Sequence, residues 1–224
     1  KHNLDDCKLT VMDKWLLSRM NSMIKDVDNY LENYKIPEAC KVLESFVDDM
    51  SNWYVRRGRE RYWAQDMTDD KISAYLTLYT ALVTTAKVSA PMIPFMAEDI
   101  YRNLVCNLDK NAPESVHLCD FPACDINAID TKLEEDMKEV LDIVVMGRAA
   151  RNNAALKNRQ PLATMFVKAK NELSDFYLEI IEDELNIKEV KFVEDMSEFS
   201  SYSFKPQLKT VGPKYGKHLG FIQK

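Results

Sequence analysis

The sequence predicts a mainly α fold, an antiparallel helical bundle followed by a small α+β appendage, on three observations. Apolar residues recur every three or four positions through the first two thirds of the chain. Only 5 glycines and 8 prolines punctuate 224 residues, 46% of them hydrophobic, which excludes collagen-like or disordered chemistry. After Pro161 the pattern changes to short β-branched and aromatic runs around one helical segment. The bundle is therefore assigned to residues 1–160 and the appendage to residues 161–224, whose last stretch, 212–224, resembles the beginning of something cut short.

Each element follows from local spacing. Over residues 13–34 the apolar stripe is Leu16, Met20, Met23, Ile24, Val27, Leu31 and Tyr34, with Asp13 as N-cap. Pro37 suits the first turn of a second helix reaching Trp63, about 40 Å long at 1.5 Å per residue. Its stripe is Ala39, Leu43, Phe46, Val47, Met50 and Tyr54. A third helix starts near Asp70, carries Ile72, Tyr75, Leu76, Tyr79, Leu82, Val83 and Ala86, and must bend or stop at Pro91-Met-Ile-Pro94. A shorter helix over 95–108 follows, then an irregular crossing over 109–129 with 116–121 briefly extended. Asp130 caps a last long helix to about Lys157, its first turns rich in Glu134, Glu135 and Asp136. Strands are expected over 164–169, 189–193 and 202–211, with a helix over 172–185.

Much chemistry is missing from the residues. There is no Gly-rich phosphate loop, no GxSxG, no HExxH and no Cys pairing at zinc spacing. The odd count of five cysteines points to a reducing cytoplasm rather than a disulfide framework. No run approaches the roughly 18 apolar residues of a membrane helix, and no signal peptide opens the chain.

A net charge of −6 argues, as an average, against nucleic acid. The distribution argues the other way. Residues 109–142 hold ten acids against three lysines, whereas residues 147–170 hold Arg148, Arg151, Lys157, Arg159, Lys168 and Lys170 with no acid. Trp53-Tyr-Val-Arg-Arg-Gly-Arg-Glu-Arg-Tyr-Trp63 is a second basic stretch, threaded with aromatics, and residues 204–224 carry five lysines and no acid. At about 100° per residue, Arg57 and Arg61 share a stripe with Met50 and Tyr54, and Arg148 and Arg151 continue Met137, Val140, Leu141 and Val144. Stripes that turn into arginine imply helices outrunning their apolar partners and presenting guanidinium groups toward a common side. Pairing of these arginines with Glu44, Asp48, Asp49 or the acidic run is the competing reading. Arginine beside Trp53, Tyr54, Tyr62 and Trp63 suits phosphate contact and base stacking, with core packing preferred for Trp53 and Tyr54.

Several segments resemble the C-terminal, anticodon-binding part of class I aminoacyl-tRNA synthetases. They are Asp13-Lys-Trp-Leu-Leu-Ser-Arg-Met-Asn21, Val47-Asp-Asp-Met-Ser-Asn-Trp-Tyr-Val-Arg-Arg57 through Arg61-Tyr-Trp63, Ala90-Pro-Met-Ile-Pro94 with Ala97-Glu-Asp-Ile-Tyr101, Ser115-Val-His-Leu118 before Pro122, and Gly147-Arg-Ala-Ala-Arg151 with Lys157-Asn-Arg-Gln-Pro-Leu162. The Pro-x-x-Pro helix is widely shared; Asn-Trp-Tyr-Val-Arg-Arg and Lys-x-Arg-Gln-Pro-Leu resemble the isoleucyl rather than the valyl enzymes.

The resemblance implies a fragment that docks the anticodon stem-loop of isoleucine tRNA, with catalysis, ATP and magnesium belonging to catalytic and editing domains of a parent chain. The HIGH and KMSKS signatures of those enzymes do not occur here, and no metal or cofactor is expected in the fragment. Backbone phosphates would meet Arg56, Arg57, Arg59, Arg61, Arg148, Arg151 and Lys157, and unstacked bases would meet Trp63, Arg159 and Gln160. Arg159 has bracing the bundle as its alternative role, and Asn52 has an internal hydrogen bond. A helical protein-interaction scaffold, its basic stretches neutralised internally, is the competing function.

Overall fold

A computed structural model describes residues 2–169 and 173–195, with Lys209 and Tyr215 beyond them. Apart from those two positions, the strand expected over 202–211 and the tail 212–224 lie outside the described residues. Internal contacts separate two units, Lys1–Lys138 and Glu139–Lys224. Among the described residues no helix is long and apolar enough to cross a membrane.

In the first unit, α1 (Val11–Glu32) begins two residues before the expected start because Thr10, not Asp13, is its N-cap. The Thr10 hydroxyl accepts from the Asp13 N–H at 3.2 Å while the Asp13 carboxylate accepts from the Thr10 N–H at 2.8 Å, a reciprocal capping box. The predicted stripe is buried from Leu16 to Val27, but α1 stops before Tyr34, which takes a φ of 57° and stands exposed.

The second helix is not one 40 Å rod. It runs as α2 (Ile36–Asp48), widens into π-helical turns over Asp49–Val55, pauses at Gly58, and resumes as the short α3 (Arg59–Trp63). The backbone ladder spans the pause, with Gly58 N–H donating to Tyr54 O at 2.9 Å and Arg61 N–H to Gly58 O at 3.0 Å. A Cβ at Gly58 would lie 2.9 Å from Tyr54 O and 3.2 Å from the Tyr62 ring, so the tight turn requires glycine.

Helix α4 (Asp69–Ser89) stops before the two prolines, as expected, and α5 (Pro94–Tyr101) continues through a π turn at Arg102–Cys106. The buried positions of α4 are mostly small, Ser73, Ala74, Thr77, Ala81, Ala86, Val88 and Ser89, while Tyr75 is exposed. Of the expected stripe Ala86 is buried, Ile72, Leu76, Tyr79, Leu82 and Val83 are half-buried and Tyr75 is exposed, because α4 packs against α1, α3 and α5 at once and close approach favours short side chains.

The run expected to be extended over 116–121 begins instead as a 3₁₀ turn, Val116–Leu118, and the backbone extends only at Cys119 after it. The Glu98 carboxylate accepts from the Val116 N–H and the Ser115 hydroxyl, both at 2.9 Å, and Ser115 caps the turn. Farther along, α1 holds the crossing through polar groups. Asn21 accepts from the Asp125 N–H at 2.9 Å and Ser18 from the Asp130 N–H at 2.8 Å.

Asp130 does cap α6 (Thr131–Asn153), accepting from the Leu133 N–H at 3.0 Å, and the helix ends before the expected Lys157. In the second unit, β1 (Leu162–Val167) and β2 (Ile187–Phe192) pair in parallel, Leu162 opposite Ile187 and Val167 opposite Phe192. A parallel pair needs a crossover, and α7 (Asp175–Leu185) supplies it, burying Tyr177, Ile180, Ile181 and Leu185. Asn186 takes a φ of 50°, closing α7 directly into β2. A Cβ at Gly147 of α6 would lie 2.4 Å from Leu185 Cδ1, so the two helices meet there without space for a methyl group.

One buried carboxylate ties the first unit together. Asp13, at 0% exposure, accepts Arg61 Nη1 at 2.8 Å and Nη2 at 2.9 Å and the Tyr54 hydroxyl as well. Burial alone would raise the Asp13 pKa; the bonds from Arg61, Tyr54 and Thr10 outweigh it and hold the carboxyl below its ordinary range. Burial first, and then Asp13, pushes the Tyr54 hydroxyl well above its usual value.

Two outcomes follow. Asp13→Asn should destabilise the fold by about 3 kcal/mol in urea denaturation, because Arg61 is left half-paired in a buried setting. A lowered folded-state pKa stabilises above the unfolded value of about 3.9 and is lost as pH falls through the folded value. The wild type should therefore lose stability below about pH 4 more steeply than Asp13→Asn, and parallel curves would refute this. Gly147→Ala must displace the fully buried Leu185 side chain, and that overpacking, set against the helix-propensity gain of alanine, should leave a net cost of about 1 kcal/mol, read as a lowered melting temperature.

Candidate nucleic-acid interface

The basic residues separate into those turned inward and those presented outward. Arg61 lies on the Tyr54 side of its helix, as the stripe predicts, but its consequence differs from the expected one. The stripe does not outrun its partners. Arg61 is held by Asp13 and donates through Nε to Asp70 at 2.9 Å, so two acids from α1 and α4 meet it. Burial opposes the charge, and the bonds to Asp13 and Asp70 override that and raise its pKa further. Arg57 lines a cavity of about 230 Å³ with Thr10, Met12, Tyr54, Gly58, Arg61 and Asp70.

Around it, Arg56 donates through Nε to Asn52 O at 2.8 Å, its guanidinium 5.7 Å from the centre of the Trp53 ring. Asn52 is exposed and donates to the Asp48 carboxylate of the preceding turn. Trp53 and Tyr54 are core, at 7% and 2% exposure. Tyr62 packs edge-on against Tyr75 at 5.3 Å, and burial pushes its hydroxyl up to about 12. Trp63, in contrast, is 76% exposed at the end of α3, and Arg59 is exposed at its start. Of the aromatic stretch, Trp63 alone among the described residues presents most of its ring outward.

In the second unit, Arg148 is partly exposed and donates to Glu184 of α7. Arg151 is only 5% exposed; its Nη2 donates to the carbonyls of Lys157 and Asn158, each at 3.2 Å, and to that of Gln160. Its position on the core stripe is real, and the loop beyond α6 folds back to meet it. Lys157, Arg159 and Gln160 have exposed side chains. Among the described residues no carboxylate pairs with Lys157, Arg159 or Arg59.

Of the acids expected to neutralise these stretches, Asp48 accepts from Asn52, and Asp49 and Glu134 meet a different arginine. Arg19, which composition did not single out, takes Asp49 at 3.1 Å and Glu134 at 3.4 Å, and the Ser22 hydroxyl donates to Glu134 at 2.8 Å. Burial raises the Asp49 pKa against the opposing pull of Arg19. The signal for Arg19 was its place on the flank of the α1 stripe, one position before Met20.

This geometry coincides with clear likeness to known proteins. The family model for the anticodon-binding domain of tRNA ligase matches residues 13–167. The chain is 54% identical over 214 residues to the isoleucine–tRNA ligase of Clostridium novyi, which covers 96% of the chain and 20% of that protein. It is 53% identical to the isoleucine–tRNA ligase of Clostridium acetobutylicum, again over 96% of the chain and 21% of the relative. With isoleucine–tRNA ligase 2 of Bacillus cereus the identity is 41%, over 97% of the chain and 21% of the relative. The chain thus spans about a fifth of the length of the curated relatives it matches. With the match covering most of its length and the helical bundle in place, the chain belongs to the family of anticodon-binding domains of tRNA ligases.

Proposed function

We propose that the chain is the tRNA-binding module of an isoleucine–tRNA ligase and receives the anticodon stem-loop of isoleucine tRNA. The observation that carries this reading is the set of exposed groups without an acidic partner among the described residues, Arg59 beside Trp63 in one unit and Lys157 with Arg159 in the other. Cations of this kind meet backbone phosphates, and an exposed indole stacks on an unpaired base. Arg56 and Arg148 flank these groups with part of their charge engaged internally, and Arg57 lines the cavity beside Arg61. Arg61 and Arg151 shape the surface from beneath.

In this reading the module selects and positions the nucleic acid, and the chemistry of attaching isoleucine, with ATP and magnesium, belongs to the catalytic part of the parent enzyme in the cytoplasm. No residue of the chain then needs to act on a bond. Its task is to hold a polyanion in register, for which arginine's planar, permanently charged fork is better suited than a titrating group.

Titration of the chain with transcribed isoleucine tRNA tests this. Affinity should fall with rising salt and with substitutions in the anticodon. Arg59→Ala combined with Arg159→Ala should make the slope of log affinity against log salt shallower by about 0.7 for each lost phosphate contact. Trp63→Ala should weaken binding by about 1–3 kcal/mol, the value of one stacked base, without changing that slope. Binding indifferent to salt and to the anticodon would reject the reading.

A further inference from the structure

The loop that follows α6 is built in an unusual way. Four consecutive carbonyls, of residues 157, 158, 159 and 160, all accept hydrogen bonds from side chains of the same unit. Arg151 Nη2 gathers those of Lys157, Asn158 and Gln160, and Asn186 Nδ2 takes those of Asn158 at 3.2 Å and Arg159 at 3.1 Å. The Asn158 amide in turn donates to Glu184 O at 3.2 Å. The negative ends of four peptide dipoles are thereby drawn inward, while the side chains of Lys157, Arg159 and Gln160 stand exposed.

The charge beneath the loop is not cancelled. Arg151 is buried, and its Nε and Nη1 have no hydrogen-bond partner among the described residues. No described carboxylate pairs with it; Glu184 accepts from Arg148 instead. A buried cation solvated by neutral carbonyls alone costs stability, whereas a carboxylate partner would lower that cost and erase the field. With Lys157 and Arg159 above it, the segment carries three cations without an acidic counterpart among the described residues. Such a concentration of positive potential, on a backbone already fixed, attracts a polyanion and spares the ordering entropy of a mobile loop.

We propose that residues 157–160 form a preformed grip for the phosphodiester backbone of RNA, and that Arg151 and Asn186 are the positioning residues that shape it without touching the RNA. This rests on the RNA-binding reading above and adds a division of labour to it. Lys157 and Arg159 contact phosphates; Arg151 supplies geometry and a buried charge; Asn186, whose φ of 50° suits asparagine or glycine, locks the loop against the start of β2.

Asn186→Gly in the whole 224-residue chain removes the amide and keeps the backbone conformation accessible. Trypsin cuts after lysine and arginine, so cleavage after Lys157 and Arg159 should accelerate about tenfold as the loop opens, with other sites unchanged. Affinity for a transcribed anticodon stem-loop of isoleucine tRNA should fall about fivefold with a shallower salt slope, and adding Arg159→Ala should cost little more. Arg151→Met, which keeps an unbranched apolar stem but removes every donor to the loop carbonyls, should act in the same direction. Unchanged cleavage overturns the positioning role. Faster cleavage with unchanged RNA affinity, or fully additive losses, overturns the grip. A wild-type chain that shows no salt-dependent RNA binding removes the ligand assignment together with the reading it rests on, while the cleavage rates still decide whether Arg151 and Asn186 hold the loop.

Discussion

A carboxylate that water cannot reach must be satisfied by the protein itself, and the first unit is arranged around that requirement at Asp13. Four groups converge on it: the Thr10 N–H and hydroxyl from the start of α1, the Tyr54 hydroxyl from the π-helical stretch, and the Arg61 guanidinium from α3. Arg61 carries the connection onward to Asp70 at the head of α4. Three helices are thus registered by one ion-paired cluster, and the capping box, the pause at Gly58 and the short helix after it all serve its geometry. Apolar packing alone would tolerate a slid helix; a bidentate arginine on a buried carboxylate does not.

That cluster also explains where periodicity was a good guide and where it was not. The α1 stripe, the halt at the prolines of residues 91 and 94, the Asp130 cap and the turn to α+β after Pro161 were all legible, because each depends on neighbours in sequence. The π turns of residues 49–55 were not, since an extra residue per turn leaves no mark in composition. The small-residue face of α4 was missed for a related reason. A helix packed on three sides buries what fits between its neighbours, and the large residues that define a stripe are displaced to its flanks.

The site was legible in its residue types and illegible in their orientation. An acid-free run of cations between residues 147 and 170 is the feature of the sequence that points toward a polyanion despite a net charge of −6. Helical spacing correctly placed Arg61 with Tyr54 and Arg151 on the stripe of α6, yet it carried no information about what would meet them. Asp13 reads in sequence as an ordinary cap, and backbone carbonyls have no sequence signature at all. Glu134, from the acidic run, was drawn to Arg19, while Glu184, outside that run, took Arg148 and offsets part of its charge.

Both units turn an arginine inward, half-buried Arg61 in one and buried Arg151 in the other, but they leave different electrostatic residues behind. Arg61 is opposed by Asp13 and Asp70, so its cluster is structural and contributes little field beyond itself. Arg151 is met by carbonyl dipoles, which stabilise a cation without cancelling its charge. A dipole's potential falls off faster with distance than a charge's, so outside the loop the net effect of Arg151 is positive, added to that of Lys157 and Arg159. Screening at physiological salt confines this to within about 8 Å, the range over which a phosphate would be held rather than steered from afar. The choice of carbonyl over carboxylate beneath a surface loop therefore decides whether a buried arginine merely fastens the fold or also lends its charge to the surface above it.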